Sequence, residues 1–400
     1  MSAAVASLDR VLITVTGRDQ RGITAELTGV ITAEGAPLFD VEQVVVHGQL
    51  TLCLLIGLAP ARRARVLGAL GAVAARMGLD LAVRDVPPDD PGAGAQQLAV
   101  TVFGDGLDAD GLHRVARVLS SHGGNIERVH RLSDTDLSAL ELIVSVPGDG
   151  LDGRELRQHL LAEAGHLDVA VQRERLSRRA KRLVAMDMDS TLIQMEVIDE
   201  LARRHGVGEQ VAQLTARAMA GELDFEQSLR ARVGLLAGLP CHHLDEIAAN
   251  LPLTPGAAQL VRVLARLGYR TAVISGGFQF AAQALKQRLG LDYAYANTLE
   301  RAGGTLTGRV LEPIVTPQRK ADLLDGIAQA ERIDLDQTIA IGDGANDLPM
   351  LQRAGLGIAF HAKPKLQAAA HTAISHGGLE RVLYLLGLRA RDLAELDPAE

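Results

Sequence analysis

"AMDMDSTLI", residues 185–193, sets two aspartates one position apart, directly after an apolar run and directly before Ser190 and Thr191. The run "KRLVAMD" (181–187) is short and apolar within, as a buried strand of a parallel sheet is. Ligands of such sheets sit beyond the carboxyl ends of the strands. Asp187 and Asp189 therefore stand where a site belongs. Asp, Ser and Thr are also good helix caps, but one cap needs one such residue, and four polar residues in five positions exceed that need.

Outward from this strand, "RTAVISGG" (270–277), "TIAIGDG" (338–344) and "LGIAF" (356–360) read as further buried strands between helical stretches. That alternation predicts a doubly wound parallel α/β sheet over about 180–388. Two of these strands also end on reactive groups. "ISGGF" (274–278) offers a small hydroxyl and two glycines, which suits a phosphate held by Ser275 and backbone N–H groups. "IGDGANDLPM" (341–350) carries Asp343 and Asp347 around Gly344 and Asn346, a carboxylate cluster with the oxygen chemistry that Mg²⁺ prefers. A turn rich in Gly, Asn and Asp accounts for the same residues taken alone. "PQRKADLL" (317–324) places Lys320 at a helix start, where a lone lysine is usually solvated; only its company promotes it.

Residues 10–87 alternate strand, helix, two strands, helix and strand, the order of a ferredoxin-like α+β domain. "PPDDPGAGAQQ" (87–97) reads as a linker, after which the pattern recurs over about 97–174. Laying "RDQRGI" (18–23) on "LDADGL" (107–112) at an offset of 89 superposes Asp19 on Asp108 and Gly22 on Gly111. In both copies an Asp-x-x-Gly then opens the first helix, where a carboxylate can meet free N–H groups. "RERLSRRAKR" (173–182) reads as a basic helical bridge, "AYANTLERAGGTLTGRV" (294–310) as a β-hairpin without chemistry, "CHHL" (241–244) as a loop rather than a metal site, and "RDLAELDPAE" (391–400) as a polar, frayed tail.

Bulk properties narrow the function. The 400 residues are 47% hydrophobic, ample for two or three domains, and a net charge of −8 argues against non-specific nucleic-acid binding, which needs a basic face. No window approaches a membrane span, Met1 to Arg10 lacks a signal pattern, and two cysteines make no disulfide framework. The expectation is a soluble, cytoplasmic protein acting on a small molecule, with no nucleic-acid or membrane partner.

Strand-end Asp-x-Asp-Ser-Thr, strand-end Ser-Gly, a lysine and strand-end Gly-Asp-x-x-Asn-Asp, in that order, resemble the four-part signature of the haloacid dehalogenase (HAD) superfamily of phosphohydrolases. "VIDELA" (197–202) and "GELDFEQSLRARVGLLAGLP" (221–240) are similar to the helical cap of phosphoserine phosphatases, and the N-terminal repeats resemble ACT domains. The resemblance implies a HAD-like sheet with a cap over about 196–253, behind two ferredoxin-like ACT domains. It implies hydrolysis of O-phospho-L-serine through an aspartyl-phosphate, the last step of serine biosynthesis. Asp187 would be the nucleophile and Asp189 the proton donor and acceptor. Mg²⁺ would be held by Asp187, Asp343 and the backbone carbonyl of Asp189. Ser275, the Gly276 N–H and Lys320 would grip the phosphoryl oxygens, with Asn346 and Asp347 supporting the phosphate and metal geometry. Glu196 would meet the substrate ammonium, Arg232 its carboxylate, and Met219 with Phe225 would form an apolar lid. L-serine is the implied effector at Asp19 and Gly22 and their repeats Asp108 and Gly111, in a homodimer formed through the ACT-like domains. An amino-acid sensor with a phosphatase-like module, or a HAD enzyme for another small phosphate ester, are the other readings of the same residues.

One magnitude sets a structural demand. A free aspartate, of pKa about 3.9, is half-protonated at neutral pH only after a rise of about three units. Burial beneath a closed cap and the charge of the incoming phosphate supply such a rise, whereas an exposed Asp189 stays ionised.

Overall fold

The structure, a computed structural model, describes residues 8–87, 96–133, 138–147, 153–175, 178 and 180–397. Most of the expected linker, and residues 176, 177 and 179 of the expected bridge, lie outside the described residues. The chain divides into two compact units, Met1–Ala93 and Gly94–Glu400.

In the first unit, β1 (Asp9–Arg18), β2 (Leu38–Val46), β3 (Gln49–Leu58) and β4 (Asp80–Asp85) form an antiparallel sheet in the order β2-β3-β1-β4, with helices Ile23–Ala33 and Pro60–Arg76. Val11, Ile13 and Val15 are buried while their neighbours are not, the period of two that a one-sided sheet imposes.

The second unit opens with the same arrangement: β5 (Gln96–Phe103), β6 (Asn125–Arg131), β7 (Ala139–Val146) and β8 (Asp168–Arg173), in the order β6-β7-β5-β8. Here the alternation fails, because Val100 and Thr101 are both fully buried. One face of this sheet lies under its own helices, Ala109–Ser121 and Gly153–Glu163. On the other, Phe103, Leu132, Ala139 and Ala170 join the core that contains Val184 and Ile339 of the larger sheet. Arg178, buried, pairs with Glu141 at 2.8 Å and Glu174 at 2.7 Å, and the Ser375 N–H donates to Asp168 at 2.8 Å. The second repeat is thus built into the larger domain.

That domain has seven strands: β9 (Leu183–Met186), β10 (Arg270–Phe278), β11 (Tyr293–Ala302), β12 (Thr305–Leu311), β13 (Thr338–Gly342), β14 (Leu356–Phe360) and β15 (Thr372–Ile374). They lie in the order β12-β11-β10-β9-β13-β14-β15, parallel except for the edge strand β12. The chain leaves β9 toward β10 on one side and later returns to β13 on the other, so the carboxyl end of β9 is the topological switch point. Asp187 follows β9 directly and Asp343 follows β13 directly.

Between β9 and the helix Ala257–Arg266 the chain inserts a helical cap, Val197–His205, Gly208–Met219, Phe225–Gly234 and His242–Ala249, around buried Leu201, Val211, Leu229, Val233 and Ile247. A capping box of Asp224 and Gln227 starts the third of these helices. The two connections to the cap pair with each other, Gln194 N–H to Pro252 O and Thr254 N–H to Leu192 O, both 2.9 Å.

Three sequence-based expectations change. The tail is not frayed over its described part: Ala390–Leu396 is helical, Leu393 is buried and Arg262 pairs with Asp397 at 2.9 Å, because the apolar positions of the tail find a core to cover. "CHHL" is a helix start rather than a loop, and although His242, His243 and Glu246 gather there, the Arg204 guanidinium already donates to Glu246. The repeat alignment also shifts: Gly22 is the N-cap of the first helix in repeat one, but the N-cap in repeat two is Asp108, and Gly111 lies inside the helix. The first helix starts at Ile23 in one copy and at Ala109 in the other, an offset of 86 rather than 89, so the matching letters are not the matching positions. No helix among the described residues is long and apolar enough to cross a membrane.

Candidate active site

Lys320 organises the site. Its helix, Pro317–Glu331, starts on a Thr316 cap and brings the side chain into the core, where Nζ lies 2.6 Å from Asp347 Oδ1 and 2.9 Å from Asp187 Oδ1. Burial pulls the ammonium toward neutrality, but the two carboxylates outweigh it and hold Lys320 charged, above its ordinary pKa. Asp187 Oδ1 also accepts from the Met188 N–H at 2.8 Å, which leaves Oδ2 without a hydrogen bond among the described residues.

Oxygens of Asp187, Asp343 and Asp347 lie within 4.8 Å of one another. Burial first, then the charge of Asp187, pushes Asp343 up to about 6, although Thr191 Oγ1 donates to it at 3.0 Å. Asp347 is likewise raised by burial and by Asp187. Three carboxylates share one ammonium, and this surplus of hard oxygen charge fits a divalent cation. The three differ in what already holds them. Asp347 accepts from Lys320 and, through Oδ2, from the Gly344 N–H at 3.0 Å, so it braces the lysine and the turn. Its carboxylate stands beside those of Asp187 and Asp343, the company in which the sequence placed it.

The carboxyl of Asp189 points elsewhere: Oδ1 accepts from the Val197 N–H at 3.1 Å, and Oδ2 stands so close to Gly277 that no Cβ fits there. Burial, then Glu196, then Asp187 raise Asp189 well above its ordinary value, the direction that proton donation requires. Glu196 is raised by burial, and Ser190 Oγ donates to it at 2.7 Å from a backbone held at φ 55°.

Ser275 and Gly276 form the adjacent wall. Ser275 is buried, and its Oγ accepts from the Gly277 N–H at 2.9 Å. A Cβ on Gly276 would lie 2.8 Å from the Phe225 ring, which places the cap against this loop. Arg232, on the same cap helix and half-buried, forms only a bond from Nε to the Ser228 carbonyl at 3.3 Å and makes no ion pair among the described residues. Burial lowers its pKa, while Asp199, Glu196 and Asp189 act to raise it. Met219 is 73% exposed at the end of its helix. Asn346 folds back over Gly344. Thr191 and Asn297, both fully buried, were not among the expected site residues; only an apolar setting around a polar side chain hinted at them.

An open parallel sheet with acids at the switch point, a buried lysine and a helical insertion over them define a HAD-like hydrolase. The profile of that family, haloacid dehalogenase-like hydrolase, matches residues 184–352, and ACT domain profiles match 9–84 and 97–172. A Streptomyces coelicolor phosphoserine phosphatase is 45% identical over 99% of this chain and 97% of its own, and one from Mycobacterium tuberculosis is 43% identical over 98% and 96%. Among solved structures, an unliganded probable phosphoserine phosphatase from Vibrio cholerae aligns with a TM-score of 0.56 at 40% identity, covering 74% of this chain and 88% of that one. A HAD family hydrolase from Salmonella enterica serovar Typhi aligns with a TM-score of 0.62 at 32% identity, covering 72% and 98%. The chain belongs to the phosphoserine phosphatase family of HAD-like hydrolases, with two N-terminal ACT domains. Phosphatases of this kind are generally metal-dependent, in keeping with the carboxylate cluster.

Proposed function

We propose that this protein hydrolyses O-phospho-L-serine to L-serine and inorganic phosphate. Asp187 Oδ2 attacks phosphorus as the seryl oxygen leaves with the proton of Asp189. Asp189, now a carboxylate, takes a proton from water, which attacks the aspartyl-phosphate and releases phosphate from Asp187. Ser275, the Gly276 N–H and Lys320 hold the phosphoryl oxygens. Asp187 and Asp343, with the Asp189 carbonyl, would hold Mg²⁺, which supplies charge neutralisation for a dianionic substrate.

The observation that carries the amino-acid specificity is Arg232. A half-buried guanidinium without an ion-pair partner among the described residues, in the field of Glu196 and Asp189, is a poor arrangement for stability alone but suits a substrate that brings its own carboxylate. Glu196 then takes the ammonium. Phosphate release from L-phosphoserine, L-phosphothreonine and an aryl phosphate, with Mg²⁺ and with EDTA, tests the reading; an equal rate on all three would overturn it. Arg232→Ala should lower kcat/KM for phosphoserine about 10²-fold, mostly through KM, and leave the aryl phosphate within about threefold.

We further propose L-serine as an effector at the first repeat only, in a cytoplasmic homodimer. Gly22 caps its helix in a left-handed conformation, φ 92°, with no side chain on the free N–H groups, whereas Asp108 accepts from the Gly111 N–H at 2.9 Å and so fills that place itself. The edge strand β2 is exposed throughout and carries Leu38, Phe39, Val41, Val44, Val45 and Val46, a surface that suits a second copy. Any serine effect on turnover should vanish in Asp19→Ala and persist in Asp108→Ala; the reverse outcome would move the effector to the second repeat.

A further inference from the structure

The loop that carries Ser275 is a bulge in a strand pair. Ile274 pairs with Tyr295 and Phe278 with Asn297, so residues 275–277 of β10 stand opposite Ala296 alone on β11. Such bulges re-aim side chains beside active sites, but they give up ladder hydrogen bonds and need another restraint. Asn297, fully buried at the far end of the bulge, is placed to supply it. Its Nδ2 donates to the Gly276 carbonyl at 2.8 Å, and its Oδ1 accepts from the Val315 N–H at 2.8 Å. The amide has no choice of orientation, since a carbonyl only accepts and an N–H only donates.

Two consequences follow from covalent geometry. The peptide between Gly276 and Gly277 is planar and trans, so holding the Gly276 carbonyl on one side turns the Gly277 N–H to the other. That N–H is the one bonded to Ser275 Oγ at 2.9 Å. Val315, at the other end of the amide, directly precedes Thr316, the N-cap of the helix that bears Lys320. One side chain therefore ties the serine loop to the start of the lysine helix.

We propose that Asn297 is a positioning residue for phosphoryl transfer, which sets the Ser275 hydroxyl and the Lys320 helix relative to each other without touching substrate. This rests on Ser275 and Lys320 binding the phosphoryl group. A side chain that acts at this end of the substrate should matter equally whatever the leaving group. Misplacement of such groups by about 1 Å costs on the order of 10²-fold in rate.

The test uses the full chain with Asn297→Ala, Asn297→Asp and Ser275→Ala, assayed on phosphoserine and an aryl phosphate, with inorganic phosphate as competitive inhibitor and a thermal melt for each. Asn297→Asp keeps the shape and the acceptor for Val315 but sets an oxygen against the Gly276 carbonyl. Both Asn297 variants should lose about 10²-fold in kcat/KM on both substrates alike, with phosphate inhibition weakened well below each melting point, and Asp should be no better than Ala. Phosphate inhibition within threefold of wild type, loss on one substrate only, or failure of both variants to fold would overturn the proposal. Ser275→Ala separates the premises: unchanged phosphate inhibition there removes the phosphate-binding role of Ser275, whereas weakened inhibition there with wild-type inhibition in the Asn297 variants removes only Asn297.

Discussion

Asp187→Asn is expected to reduce turnover of phosphoserine by about 10⁴-fold or more while leaving the fold in place. The amide retains an oxygen for the two contacts that Oδ1 now makes, the Met188 N–H at 2.8 Å and Lys320 at 2.9 Å, so the end of β9 and the lysine have no reason to move. What disappears is the second carboxylate oxygen, Oδ2, and with it the proposed nucleophile. The substitution also removes one of the charges that raise Asp343 and Asp189, so both should titrate closer to an ordinary carboxylate. Steady-state kinetics with a melt as control decides the matter, and turnover within tenfold of wild type would take the nucleophile role from Asp187.

Lys320→Met should affect both activity and folding. The ammonium is fully buried between Asp187 and Asp347, and removing one partner of a buried ion cluster leaves uncompensated charge, a loss of about 3–5 kcal/mol. The sign of the pH dependence follows from linkage. In the wild type the pKa of Lys320 is raised, so its stabilisation is fully present below the ordinary lysine value and is lost only as pH rises beyond it. In the variant the groups that matter are acids. Asp347 is already raised by burial and by Asp187, and without the lysine it rises further, so the folded state retains a proton that the unfolded state releases. The variant should therefore be most destabilised near pH 8 and partly recover near pH 5.5. Urea unfolding at the two pH values reads this directly; a deficit below about 1 kcal/mol, or one that does not shrink in acid, would show that the lysine is not the counter-charge of the cluster. Activity should fall with it, since the proposed phosphoryl site loses a cation.

The placement of the reactive residues was legible because it depends on one element at a time. A buried strand announces itself by an apolar run, its end by the first acids, and the sheet geometry makes those ends converge. The strand-end places of Asp187, Ser275 and Asp343 follow from that logic. Met219 shows where it stops, since a residue at the end of a cap helix faces whichever way the helix is rotated, and here it faces solvent.

The amino-acid sequence by itself determined the strand ends, the order of the four motifs and the two ferredoxin-like repeats, all properties of short segments read by period and punctuation. Tertiary structure alone decided which groups meet. Lys320 reaches Asp347 across 27 residues, Thr191 reaches Asp343 across 152, and Asn297 reaches Gly276 across 21. It also decided that the second repeat shares a core with the larger sheet, and that a helix begins on Gly22 in one repeat and on Asp108 in the other. The physical reason is common to these cases: a hydrogen bond or ion pair between distant segments leaves no periodic trace in either of them, and it exists only once the apolar faces have packed and brought the two polar groups out of water together.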